Sequence, residues 1–236
     1  MHANTATMPA SVPATLPLLL SFNGGYVDAA GYLALQGLFT AHVTGNFVTL
    51  GASLALGTSG AVAKLLALPV FCVVVIAVRL LDTALSKGHR PAREVLIALK
   101  VLLLITGAVL AIWFGPFHDV NSAPAVLTGM VLVGAMAIQN AFHRIHLASS
   151  PPSTLMTGTT TQVMIDLADR IYAPQGTESQ SGARLVQMSI NILVFAIGCG
   201  AAALLYSGVG VECFVLPPII ASLQLIILLT GRSQPR

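Results

Sequence analysis

Charged residues make up only 8% of this 236-residue chain, where an ordinary soluble domain carries about 25%. So little charge could not cover a globular surface in water. Aromatic residues are also few, at 6%, and the net charge of +3 is scattered. Without a basic stripe interleaved with aromatics, nucleic acid is not expected as a partner. The three cysteines, Cys72, Cys199 and Cys213, are odd in number, lack CxxC spacing and sit in or beside apolar runs. Free thiols in such places act as small core residues. The chain has no GxxxxGK[ST], no strand followed by GxGxxG, no HExxH and no GxSxG. An enzyme would have to be assembled from dispersed residues, so none is expected, and neither is a cofactor. His143 and His146 share a helical face, but with Arg144 between them and no acidic or Cys partner they read as interfacial charge rather than a metal site.

What the chain has is apolar length. Hydrophobic residues reach 56%, and the runs at 95–114, 125–142 and 214–230 approach the roughly 20 residues that cross a bilayer. Lipid offers no hydrogen-bond partners, so backbone groups must be satisfied within their own segment, and these runs read as helices even where Val73-Val74-Val75-Ile76 would favour a strand. The expected fold is an all-α polytopic bundle set in a lipid bilayer. Helices are predicted at about 15–38, 43–56, 63–85, 93–114, 125–146, 155–171, 183–207 and 213–230, with the usual boundary error. Residues 1–14 are rich in Ala, Thr and Pro and carry no Lys or Arg. They lack the charged region of a cleavable signal peptide and are expected to remain as a disordered lead-in.

The chain also repeats itself. Thr44-Gly45-Asn46 opens VTGNFVTLGASLA, and 113 residues further on Thr157-Gly158-Thr159 opens MTGTTTQVMIDLA. Both turns precede a helix too short and too polar to span comfortably, the second after the break Ser149-Ser150-Pro151-Pro152. This divides the chain into a first membrane repeat at 15–114, an external loop at 115–124, a second repeat at 125–230 and a tail at 231–236. If the short helices dip in and return, Arg79, Lys87, Arg90, Arg93, Arg144, Arg170, Arg184, Arg232 and Arg236 all fall on the cytoplasmic face, and Lys64 is the single misfit. That topology has six full crossings and both termini inside. With three crossings per half, the repeats form an inverted pair, a plan met in secondary transporters.

Residues three and seven apart share a helical face. Asn46, Thr49 and Ser53 form a polar stripe in the first short helix; Thr159, Gln162 and Asp166 form the matching one in the second. Two such stripes suggest a polar passage between the halves, or interhelical bonding that only fastens the bundle. Thr44 and Thr157 are suited to N-capping, and with Gly45 and Gly158 they would present helix starts able to hold an anion, unless the turns are simply compact breaks. Asp28, near the centre of the first helix, should face the interior, take up a proton or bind a cation. Its counterpart is Asn140, preceded by Gln139, so the acid is on one side only. Gly24, Gly25, Gly31, Gly37, Gly45 and Gly51 crowd the first two helices and would allow close approach of backbones, so packing is their expected role. Arg79 and Asp82 are expected to pair locally.

The stretch GGYVDAAGYLALQGLFTAHVTGNFVTLG, residues 24–51, resembles the hallmark of the YoaK-like family of bacterial multi-pass membrane proteins, grouped under a domain of unknown function. The likeness extends through the second Thr-Gly block, over about residues 15–230. It implies a bacterial inner-membrane protein and brings no substrate or catalytic residue with it. One departure is Ile76-Ala77-Val78-Arg79, where a packing pattern like Gly198-Cys199-Gly200 is expected. The reading that joins these features is a secondary transporter or permease for a small polar or anionic solute, proton or cation coupled through Asp28. A scaffold, a sensor or a membrane-embedded enzyme are the alternatives, and the composition is compatible with a homo-oligomer.

Overall fold

The structure is a computed structural model that describes Pro13, residues 15–172 and residues 178–232, the side chains of 178–181 and 232 excepted. The expected lead-in, the centre of the polar loop before the seventh helix and the last four residues lie outside the described residues. The chain is helical as expected: α1 Thr15–Ala34, α2 Gly45–Leu56, α3 Ala61–Lys87, α4 Ala92–Phe114, α5 Ala123–His146, α6 Met156–Tyr172, α7 Glu178–Val209 and α8 Leu216–Arg232, with a 3-10 turn at Gly210–Val215 leading into α8. The helices α3, α4 and α5 are long and apolar enough to cross a membrane, and so is the stretch Gly182–Gly231 that holds α7 and α8. At 12 residues, α2 is only about 18 Å long, well short of a 30 Å hydrocarbon core.

Boundaries shift where the backbone demands it. The first helix stops at Ala34, four residues early, because Gln36 and Gly37 both take positive φ (48° and 93°) and turn the chain over. The last begins after the 3-10 turn, with Pro217 and Pro218 in its first turn, where their missing N–H groups leave no bond unmade.

Two groups of contacts fix the ends of the bundle. At one end the Ser59 hydroxyl donates to Gln36 (2.7 Å), the Gly60 N–H donates to Asn121 (3.0 Å) and Val211 lies against Gly115. At the other, His146 on α5 meets Asp82 on α3 at 2.8 Å, and Arg144 and Arg184 line one cavity. The chain therefore reaches the first end at residue 36, and its next stretch folds back until residues 40–42 lie beside Asp28. That is six residues, roughly 9 Å, below the end of α1. Then α2 climbs back to Ser59. In the same way, Ser153 and Thr154 fold back beside Gln139 and Asn140 before α6 returns. Both short helices thus begin inside the bundle and end on the side from which the chain came.

Packing follows an exchange between halves. Helix α1 packs along α7 and α5 along α3; α4 packs on α5 and α8 on α1; α4 and α8 also meet each other. The seams are not equally tight. A Cβ on Gly25 would strike the Phe195 carbonyl, and one on Gly198 the Phe22 carbonyl, so α1 and α7 cross backbone to backbone. At Gly134 on α5 the Cβ position meets side chains and not backbone, Leu103 of α4 at 3.4 Å and Val74 of α3 at 3.9 Å, which accords with the missing glycines in 76–79. Of the glycines expected to pack, Gly24, Gly25 and Gly31 do, whereas Gly51 faces open space.

Gly25→Ala should therefore lower thermal stability by about 1–3 kcal/mol or abolish folded yield, because backbone and not a side chain must move. Gly134→Ala, with ordinary contacts, should be near neutral. Thermal unfolding followed by fluorescence-detected size exclusion compares the two.

Candidate functional site

Asp28 is buried and almost fully paired. Its Oδ1 accepts the backbone N–H groups of Thr40 (2.8 Å) and Ala41 (2.7 Å), and its Oδ2 lies 2.6 Å from His42 Nδ1. Folded-back backbone at bundle depth has no helix to supply acceptors, and the carboxylate takes that part. Asn46 completes the brace: its Oδ1 accepts the Phe39 N–H (2.9 Å) and its Nδ2 donates to the Phe39 carbonyl (2.8 Å). Ring contacts to Phe39 and Phe195 hold His42 edge-on.

The second half repeats the device with neutral groups. Asp28 and His42 are 14 residues apart, and so are Asn140 and Thr154, whose hydroxyl donates to Asn140 Oδ1 at 2.6 Å. Gln139 donates to the Leu20 carbonyl of α1 (2.8 Å) and to Ser153 (3.3 Å). A Cβ on Gly24 would touch Gln139, Ser153 and Thr154, all at 3.1 Å. The second folded-back tip therefore rests on the middle of α1, one turn from Asp28.

The sequence reading missed Lys100. This α4 side chain is wholly buried, and its ammonium donates to the amide oxygens of Gln139 (2.6 Å) and Gln224 (2.8 Å). Gln224 in turn donates to the Leu19 carbonyl (2.9 Å). Among the described residues no carboxylate forms an ion pair with Lys100. Helical side chains lean toward the helix N-terminus, so Asn23 leans over the turn that carries the Leu19 and Leu20 carbonyls. Asn23 is fully buried with neither amide atom bonded, and on another face of α1 the buried Ser21 hydroxyl is likewise unpartnered. A lysine inside an apolar run was a visible signal. Its place only two turns into α4 masked it, since a lysine there can ordinarily snorkel to water.

The other expected site residues separate. Asp28, Thr44 and Gly45 line an open groove of about 810 Å³ with His42, Phe195 and Cys199. Thr157 lies on a different groove formed by α6 itself, with Thr160 and Thr161. The polar stripes do not face each other: α2 packs on α3 and α6 on α7. Ser53 accepts from Lys64 (2.6 Å), Thr49 bonds back to its own helix, Thr159 bonds back to Leu155, and Gln162 donates to Asp166 along α6 (2.6 Å). The expected passage between stripes is thus corrected to bonding within each half, and the misfit Lys64 is a buried partner of Ser53. Capping by the two threonines also fails. The Thr44 side chain makes no cap bond, and α6 starts at Met156, leaving Thr157 inside the first turn and Gly158 beside open space. Arg79 pairs with Asp82 as expected (3.3 Å), but His146 shares that acid, a contact across α3 and α5 that spacing could not show.

Residues 16–228 match a family described as proteins of unknown function, DUF1275. This chain belongs to that family. It is 32% identical over 164 residues, 67% of this chain and 68% of the other, to the UPF0700 transmembrane protein YoaK of Bacillus subtilis (strain 168). No solved structure matches. The resemblance read from residues 24–51 is thereby established, and that stretch holds Asp28, His42 and Asn46, the residues that fold the first tip back.

Asp28→Ala should strand two buried N–H groups at a cost of roughly 2–6 kcal/mol, and Asp28→Asn, which keeps an acceptor, should cost less. Hydrogen exchange over residues 38–44 and thermal unfolding read both; equal protection in Asp28→Ala and the parent would contradict the brace.

Proposed function

We propose that this protein is a membrane carrier for a small anionic solute, with Lys100 at its binding centre and the Asp28–His42 pair as its proton-responsive element. The observation that carries the reading is a wholly buried lysine held only by amide oxygens. An ammonium in so apolar a setting costs several kcal/mol, and neutral dipoles offset only part of that. A small anion would complete it. Gln139 joins this centre to the second folded-back tip, so a change at Lys100 would be felt by the element that returns from the opposite end.

The arrangement of helices supports the same reading. If α1 crosses together with α3, α4, α5, α7 and α8, three crossings per half would make the halves run in opposite directions, an inverted pair with folded-back tips approaching from the two ends. Carriers that rock two inverted halves about a midplane site are built on this plan. The Lys and Arg residues that flank the helices, Arg79, Lys87, Arg90, Arg93, Arg144 and Arg184, gather toward one end, which favours a cytoplasmic placement of that end and of both termini in a bacterial inner membrane. Binding and rocking need no catalytic group, so the protein is read as a carrier and not an enzyme.

The test is thermal stabilisation of the purified protein by a panel of small anions (chloride, acetate, pyruvate, bicarbonate), then flux of any that bind in proteoliposomes. Lys100→Met should keep or raise stability while abolishing the shift and the flux. A folded Lys100→Met protein that still binds and moves the same anion would sink the proposal.

A further inference from the structure

A polar cavity lies at the end of the bundle where Arg144 and Arg184 sit. Its volume is about 470 Å³, and the C-terminal end of α5, the linker 148–152 and the start of α7 enclose it. Arg144 and Arg184 line it from two different helices, with Ser149, Ser150 and Gln187 between them and the buried Met188 beneath. No acidic side chain lines it among the described residues. His143 forms part of the wall. Its Nε2–H donates to the Ser150 carbonyl (3.2 Å), which leaves Nδ1 as the free ring atom, and that atom is buried with no protein partner. The residue is only 4% exposed, so water does not take the missing role freely.

Two guanidiniums, hydroxyls and an amide around one concave site match a phosphate group, whose oxygens accept several charge-assisted bonds at once. The His143 Nε2–H bond holds the Ser150 carbonyl, and with it the linker wall of the cavity, against the end of α5. Position narrows the ligand further. On the topology proposed above, on which this inference rests for its ligand, the cavity opens at the membrane surface where the basic residues gather, and basic pockets between helices at that level hold anionic lipids.

We propose that this cavity binds a phosphate group with unbalanced negative charge, as carried by an anionic phospholipid headgroup or by free phosphate. Occupancy would tie α5 to α7 across the linker that leads to the second folded-back tip, so the ligand would steady the entry to Ser153 and Thr154.

The experiment measures binding of dihexanoyl phosphatidic acid, dihexanoyl phosphatidylcholine and inorganic phosphate to the purified full chain in neutral detergent, by native mass spectrometry and thermal shift. Phosphatidic acid is expected to bind at least tenfold more tightly than phosphatidylcholine, and Arg144→Gln/Arg184→Gln to remove that preference. Both arginines are exposed, so the variant should fold; Gln187→Glu, which adds a like charge to the phosphate, is the second variant and should weaken binding similarly. Equal affinity for inorganic phosphate and phosphatidic acid, lost in both variants, would support the site and assign it to soluble phosphate. Binding of phosphatidic acid that both folded variants retain in full, or no binding of either phosphate probe, would overturn it.

Discussion

A single carboxylate determines the shape of the first half. Folding a stretch of backbone into an apolar bundle exposes N–H groups that lipid cannot satisfy, and Asp28 meets that demand by collecting two of them on one oxygen while its other oxygen holds His42. The rest depends on this turn. It sets the level at which α2 begins, brings Asn46 against Phe39, and leaves the groove beside Phe195 and Cys199. An unpaired acid at this depth would be among the most destabilising residues in the chain; paired in this way, it closes the backbone that surrounds it.

The second half solves the same geometric problem with neutral groups. Asn140 and Thr154 keep the 14-residue spacing, but an amide and a hydroxyl replace the acid and the imidazole. Only one tip can therefore change charge. Where Gly25 and Gly198 let α1 and α7 cross backbone to backbone, the matching seam of α5 and α3 is held by side chains and by Asp82 with His146 at its end. The two halves therefore answer the same local demands with different chemistry and unequal tightness.

Lys100 ties these parts together. Its two glutamine partners each donate to neighbouring carbonyls of α1, so one ammonium links α4, α5, α8 and the turn of α1 that lies below Gly24. A buried ammonium held by two amide oxygens is an expensive arrangement for a structural tie alone, since well-packed apolar residues would serve stability as well.

The sequence by itself determined the helices, the membrane class and the family. Apolar run length fixes a helix in lipid whatever the local propensity, and the duplicated Thr-Gly turn marked where each half breaks. It also drew attention to Asp28, Gln139 and Asn140, because polar residues in apolar runs stand out. Tertiary structure alone decided what those residues meet. Helical spacing places Asn46, Thr49 and Ser53 on one face but does not say which neighbour that face touches; the answer was Phe39 and Lys64 of the same half, not the stripe on α6. Lys100 drew no attention because its burial depends on α5 and α8 closing over it, through contacts 39 and 124 residues distant in the chain. Local pattern records what a residue prefers, and only the packed bundle, by removing water from some polar groups and not others, decides which of them must find a partner.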